Sequence, residues 1–354
     1  MTNRMRIIVA TVRIPFVYGG AEVLADQLIQ ALGAAGHEAE LLTIPFNPAD
    51  PERIPDQMLA CALMDLEGIH AARVDRLIAL KFPAYLIPHS NKVAWIIHQH
   101  RQAYDLWDHP LGGDFRNAPR GKIVRDIIRR ADAKLCSEAK TIFSLSANVA
   151  QRLRHFWNVD TIPLHHPPAN PEAFYCADEV DDYIFFPSRL SANKRQDVVL
   201  RALSHTRNPV RLKFAGTADS APYGEQLRAQ AHDLGVHGRV EWMGFVSEQQ
   251  KRDAYAHALA VLFPPFDEDY GYVALEAMLA SKAVITCDDS GGPLEFVVPN
   301  ETGLVSSPEP EKLAAALDTL WEDRALAAKL GRAGRKRYDG LGLSWANVVK
   351  HLLS

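Results

Sequence analysis

The feature that most constrains the fold is an alternation of short β-rich runs and helix-like stretches. It occurs in two series, separated by a segment that belongs to neither. The first series opens with "MRIIVATVR" (residues 5–13), then a loop, "IPFVYGG", then "AEVLADQLIQALGAAG", whose apolar spacing fits a helix, then the strand "HEAELLTI". Parallel strands need a crossover long enough to return the chain to the same end of the sheet, and a helix supplies it. "RVDRLIAL", "KVAWIIH" and "TIFSLS" read as further strands, and "RGKIVRDIIRRADAKL" and "ANVAQRLRHFW" as helices.

Periodicity fails over "LHHPPANPEAFYCADEVDD" (164–182), which is rich in proline and acid and reads as a crossing between domains. Alternation then resumes, from "YIFFPSRL" through "VRLKFAG", "RVEWMGF" and "LAVLFPP" to "YVALEAMLA" and "KAVITC". The expected fold is α/β, with two Rossmann-like domains facing a central cleft. The expected boundaries are 1–168 for the N-terminal domain and 169–341 for the C-terminal domain, with a helix at about 342–354 packing back on the first half. Open parallel sheets bind ligands beyond the carboxyl ends of their strands, so site residues are sought there.

A length of 354 residues accommodates two such domains. The formal net charge of -4 argues against a nucleic-acid-coating protein. Four scattered cysteines, Cys61, Cys136, Cys176 and Cys287, lack CxxC spacing and read as reduced, mostly buried thiols. No apolar run is long enough to span a bilayer or act as a signal peptide, so a cytoplasmic location is expected.

Neither GxGxxG nor GxxxxGK[ST] follows the first strand of either half, which removes the main support for a dehydrogenase or a P-loop kinase. "YGGAE" (18–22) places Gly19 and Gly20 at a helix entry, where bare backbone can approach an anion; a plain tight turn has the same composition. "PSRLSANKRQD" (187–197) sets Arg189 and Lys194 at the carboxyl end of a strand, where two cations suit a pyrophosphate, or are simply solvated. "WIIHQHR" puts His98 and His100 at a strand end, placed to bond a sugar hydroxyl, to move a proton or to close the strand. No carboxylate near them supports a metal site, and "DED" (267–269) is a weak one, because acids before helices complement the dipole. The basic stretch 116–134 suits anionic headgroups, an anionic acceptor or plain solvent.

Together these residues resemble the retaining GT-B glycosyltransferases that use nucleotide sugars, in the large family four. The strongest part is "EDYGYVALEAMLASKAVITCDDSGGPLEFV" (268–297), which is similar to the family's E-x7-E motif followed by Gly291, Gly292 and Glu295. "GGAE", "SRLSANKRQD" and "VEWMGFVSEQQ" fall in the family's order. The resemblance implies that Arg189 and Lys194 hold the donor diphosphate, Glu276 the ribose hydroxyls, and Glu268 the transferred sugar. It also implies that the amides of Tyr270, Gly271, Tyr272 and Val273 meet sugar and phosphate, that Gly20 beside Gly19 approaches the diphosphate, and that Phe245 and Val246 meet the base. His98 corresponds to the active-site histidine, with His100 as the fallback. Ser188 departs from the family's usual glycine, and the loop after His98 is idiosyncratic.

The implied activity is metal-independent transfer, with retention, from a UDP- or GDP-sugar to a glycan, lipid-linked or small-molecule acceptor in glycan or glycoconjugate biosynthesis. No cofactor, metal or nucleic acid is implied. Peripheral contact of the N-terminal domain with the inner face of the membrane is an accompanying expectation. The rival readings are a non-catalytic nucleotide-sugar-binding subunit and a GT-B epimerase or phosphorylase.

Overall fold

A computed structural model describes residues 4–69 and 72–354. The chain divides into two compact units, one of residues 1–169 with 344–354, the other of residues 170–343.

Unit 1 is built on a six-stranded sheet of β1 (Arg6–Arg13), β2 (Glu38–Pro45), β3 (Arg76–Ala79), β4 (Lys92–Ile96), β5 (Thr141–Ser144) and β6 (Ile162–Pro163). The spatial order is β2-β1-β3-β4-β5-β6, every pairing parallel. β3 and β4 are buried along their whole length, as expected of parallel strands covered on both faces, whereas the edge strand β2 is largely exposed. The crossovers carry α1 (Gly20–Ala34), α2 (Ile54–Ala62), α3 (Gly121–Glu138) and α4 (Ala147–Trp157). Ser146 caps α4 by accepting the Val149 N–H at 3.0 Å, and Asn158 ends it in the left-handed conformation that asparagine tolerates.

Unit 2 contains β7 (Ile184–Pro187), β8 (Leu212–Ala215), β9 (Val240–Gly244), β10 (Ala260–Leu262), β11 (Ala283–Cys287) and β12 (Gly303–Ser306). Its order is β9-β8-β7-β10-β11-β12, again all parallel. Counted within the unit this reads 3-2-1-4-5-6, the doubly wound order. The helices are α5 (Gln196–His205), α6 (Ala221–Asp233), α7 (Glu248–His257), α8 (Tyr272–Leu279), α9 (Pro310–Glu322) and α10 (Arg324–Gly340). Phe186, Leu200, Leu212, Phe214, Leu262 and Leu317 are among the fully buried side chains of one core, each contributing about 1.5–3 kcal/mol of burial.

After unit 2 the chain returns to unit 1 as α11 (Trp345–Leu353), capped by Ser344. Val348, Val349 and Leu352 are buried, and the Trp345 ring lies 5.1 Å from His166. Buried Arg76 donates to the Leu352 carbonyl at 2.7 Å and to the Ser354 carbonyl at 3.2 Å.

Three sequence expectations change in detail. The helix read from "RGKIVRDIIRRADAKL" (120–135) runs from Gly121 to Glu138. Two of its cations serve unit 1 itself: Arg125 stacks on Trp107 at 4.4 Å and Arg129 on Tyr104 at 5.6 Å. Of the four cysteines only Cys61 and Cys287 are buried; Cys176 is exposed.

Candidate functional site

In a doubly wound sheet the crevice opens where successive crossovers diverge to opposite sides. In unit 2 that point lies between β7 and β10. The segments leaving these two strands, 188–195 and 263–271, carry Arg189, Lys194, Glu268, Tyr270 and Gly271 among the residues singled out from the sequence.

Lys194 and Glu268 meet there as an ion pair, with only 12% and 24% of their side chains exposed. The Lys194 ammonium also lies 5.3 Å from the centre of the Phe263 ring. The two segments are joined by backbone, since the Phe266 N–H donates to the Asn193 carbonyl at 2.8 Å. Behind Glu268 runs residues 289–292: Glu268 N–H donates to the Ser290 carbonyl at 2.9 Å, and Gly292 N–H to the Glu268 carbonyl at 2.8 Å. A Cβ on Gly292 would lie 2.7 Å from Tyr270 backbone atoms, so only glycine permits this approach.

Arg195, next to Lys194, has φ +61°, a conformation that costs a non-glycine residue roughly 1–2 kcal/mol. Its guanidinium is bound to both oxygens of Asp289, each at 2.6 Å, and lies 5.2 Å from the centre of the Phe266 ring. Buried Gln196 ties the same loop from beneath, donating to the Ser188 hydroxyl at 3.1 Å and the Arg189 carbonyl at 2.9 Å. Ser188, the departure from glycine, thus has a partner of its own. Arg189 is half-exposed and turned to Asp219 on the loop after β8. Arg189 and Lys194 therefore share one loop but hold different carboxylates.

Gly271 opens α8. A Cβ there would meet the Phe296 ring at 2.8 Å and Pro293 Cα at 3.1 Å. The first intrahelical bond runs from Leu275 N–H to the Gly271 carbonyl at 3.0 Å, so the amides of Tyr270, Gly271, Tyr272 and Val273 stand outside the helical ladder, at the positive end of the helix. Tyr270 is buried against Phe296, with ring centres 5.5 Å apart. One turn into the helix, Glu276 accepts from Lys251 at 3.0 Å and from the Tyr255 hydroxyl at 2.8 Å, both on α7. Burial works against the charge on Lys251, but Glu276 and Glu248 hold its pKa above the usual lysine value. Phe245 follows Gly244 at the end of β9 and is 84% exposed, with Val246 partly buried beside it.

In unit 1, Gly19 and Gly20 lie at the entry to α1, beyond β1. The Gly19 N–H donates to the Glu22 carboxylate at 2.9 Å, so the helix start already carries an acid. His98 follows β4, partly buried, with Nδ1 2.7 Å from the Gln99 carbonyl. His100, the fallback for that histidine in the sequence reading, lies deeper than His98. Its ring is 7% exposed, packed among Phe46, Phe82 and Phe115, and burial beside His98 lowers its pKa to about 3.

Sequence reasoning missed Arg195, Gln196, Asp289, Lys251 and Tyr255. Only Arg195 carried a local signal, a basic residue directly before a helix and after a turn. Among the described residues no cluster of three or more His, Cys, Asp or Glu side chains could hold a metal, and no helix is long and apolar enough to cross a membrane.

Two parallel Rossmann-like sheets, with a cation–carboxylate site at the switch point of the second, define the GT-B class. Residues 175–337 match the family model described as glycosyl transferases group 1. An uncharacterized glycosyltransferase of Methanocaldococcus jannaschii is 22% identical over 96% of this chain and 94% of its own length. A GDP-mannose-dependent alpha-(1-6)-phosphatidylinositol monomannoside mannosyltransferase of Mycobacterium tuberculosis is 35% identical over 46% of each chain. The solved sucrose-phosphate synthase of Thermosynechococcus elongatus superposes with a TM-score of 0.80, covering 99% of this chain and 98% of that one at 19% identity. The chain thus has the GT-B fold, and its residues 175–337 carry a glycosyl transferases group 1 domain.

Proposed function

We propose that unit 2 binds a UDP- or GDP-sugar and that the enzyme transfers the sugar to an acceptor hydroxyl with retention at the anomeric carbon. The observation that carries this reading is the Lys194–Glu268 pair at the switch point, beside the entry to α8. A cation and a helix N-terminus suit a diphosphate, and a carboxylate next to them suits sugar hydroxyls. Arg189 leaves Asp219 to join Lys194 on the diphosphate. Phe245 and Val246 flank the base, and Glu276 takes the ribose.

In the proposed reaction the bond from the anomeric carbon to the diphosphate oxygen breaks as the acceptor oxygen bonds to the same face. The acceptor proton passes to a phosphate oxygen. The protein contributes positioning and charge stabilisation, with no divalent metal. Unit 1 supplies the acceptor side: His98 at the sugar and Gly20, beside Gly19, toward the diphosphate. The acceptor class is a glycan, a lipid-linked sugar or a small molecule. The proposal includes peripheral membrane contact through the exposed cations of α3, Lys122 and Arg130.

Thermal-shift measurement against UDP, GDP, ADP and their sugars tests the donor, since a ligand of the native state raises the melting temperature. Transfer by the purified chain after chelator treatment, with the product's anomeric configuration read by NMR, tests the rest. Complete loss of activity restored by magnesium or manganese would overturn metal independence. Binding without turnover would leave a non-catalytic subunit.

A further inference from the structure

The Glu276 carboxylate is held from one side. Lys251 donates to one oxygen at 3.0 Å and Tyr255 to the other at 2.8 Å. Both donors lie on α7, whereas Glu276 lies on α8, so the contact fixes one helix's side chain from its neighbour. Tyr255 is fully buried, and Lys251 is itself held by Glu248 at 3.0 Å. Only 13% of the Glu276 side chain is exposed, so little room is left for other rotamers.

An ionised carboxylate offers about four lone-pair sites, two on each oxygen. Lys251 and Tyr255 occupy one on each. The remaining site on each oxygen makes a matched pair, set by the two fixed donors, and a vicinal diol donates two hydrogen bonds in such a spacing. An unheld glutamate would lose rotamer freedom to make that arrangement on binding, and here the cost is already met within the folded unit.

We propose that Lys251 and Tyr255 are positioning residues that preset Glu276 to accept both hydroxyls of a ribose 2′,3′-diol, so that diol recognition depends on residues that do not touch the ligand. The inference rests on the reading of Glu276 as the ribose acceptor and adds the source of its selectivity. Lys251 is not a general cation for the diphosphate in this account, since its charge is shared between Glu276 and Glu248.

The test is calorimetric binding of UDP and GDP, each against its 2′,3′-dideoxy analogue, to the wild-type chain and to Lys251→Met, Lys251→Arg and Tyr255→Phe. The readout is the ratio of the two affinities. For the base that binds, wild type is expected to prefer the diol form by at least 10-fold. Lys251→Met and Tyr255→Phe should each lower that preference at least threefold while leaving affinity for the dideoxy analogue nearly unchanged, and Lys251→Arg should restore most of it. A wild-type chain that binds both forms equally means Glu276 does not hold the ribose, and the underlying reading fails. A wild-type preference that survives in both Lys251→Met and Tyr255→Phe overturns the positioning role alone. Equal loss of both forms in Lys251→Met, at unchanged ratio, also overturns it, since that is the signature of a general charge or of damaged folding.

Discussion

Arg195 and Asp289, 94 positions apart, are joined by two parallel hydrogen bonds of 2.6 Å, and the arginine reaches them from a left-handed backbone. The clamp and the strain sit in one residue, so substitutions separate them. Arg195→Ala loses the clamp and keeps the strain; Arg195→Gly loses the clamp and relieves it. Loss of the clamp should cost roughly 1 kcal/mol, because Asp289 is partly exposed and the pair is screened. Arg195→Gly should be more stable than Arg195→Ala by about 1 kcal/mol. Urea denaturation of the two variants checks this, and an alanine variant as stable as the glycine variant contradicts the backbone argument.

Lys194→Ala should lower turnover on the order of 100-fold, more than it weakens donor binding. Charge grows on the diphosphate as the sugar departs, so a cation there favours the transition state over the ground state. Initial rates across donor concentrations separate the two effects. A raised Michaelis constant at unchanged turnover would show that Lys194 only binds.

Glu268→Ala should spare binding of the bare nucleoside diphosphate and impair binding or transfer of the sugar. A hydrogen bond to a charged group is worth about 1.5–3 kcal/mol, so the difference between the two ligands is measurable by calorimetry. The variant also strips Lys194 of its partner. Equal weakening of both ligands would mean that this pairing, and not sugar contact, is what Glu268 provides.

Gly292→Ala should disrupt the site without touching a ligand. The added methyl would meet Tyr270 backbone at 2.7 Å, in the segment joining Glu268 to α8, and backbone there cannot yield as a side-chain tip can. Overpacking of this kind costs about 1–3 kcal/mol. A melting temperature and donor affinity equal to wild type would refute it. Gly238→Ala, with nothing within 4 Å of its Cβ, is the control.

Stability should fall on acidification below about pH 6.5. Burial holds His100 and His166 neutral, each with its pKa lowered to about 3. The unfolded chain protonates both near 6.5, so across this window it binds protons that the folded state refuses. Asp132 acts in the opposite sense. Burial raises its pKa to about 7, against the hydrogen bonds from Tyr104 and Tyr85, so its contribution is full below 3.8 and lost as pH rises through 7. Two histidines outweigh one aspartate. His100→Phe should reduce the slope between pH 4.5 and 6 by up to about 1.4 kcal/mol per pH unit. Denaturant titrations at several pH values measure it, and an unchanged slope would show that His100 takes up a proton in the native state.

The alternation of apolar strands and amphipathic crossovers was legible because both faces of each central strand are buried, which leaves β3 and β4 few polar positions. The order of the motif residues was legible for a related reason: each follows a strand, and parallel strands deliver their carboxyl ends to one edge. The partners were not legible. Asp289 for Arg195, Asp219 for Arg189 and Lys251 for Glu276 come from other crossovers, and nothing local marks them. His98 and His100 show the limit most sharply. Two positions apart on one strand end, they differ only because Phe46, Phe82 and Phe115, all distant in sequence, close around the second ring.

The return of α11 to unit 1 has a consequence for biosynthesis. Residues 170–343 are one continuous stretch and can complete their packing as they leave the ribosome. Unit 1 cannot: until all of that stretch has been translated, nothing occupies the place where Trp345 meets Trp95 and His166, and Arg76 lacks the carbonyls of Leu352 and Ser354. The half of the enzyme made first is therefore finished second, and its nascent form carries an uncovered aromatic surface for the whole synthesis of the other half.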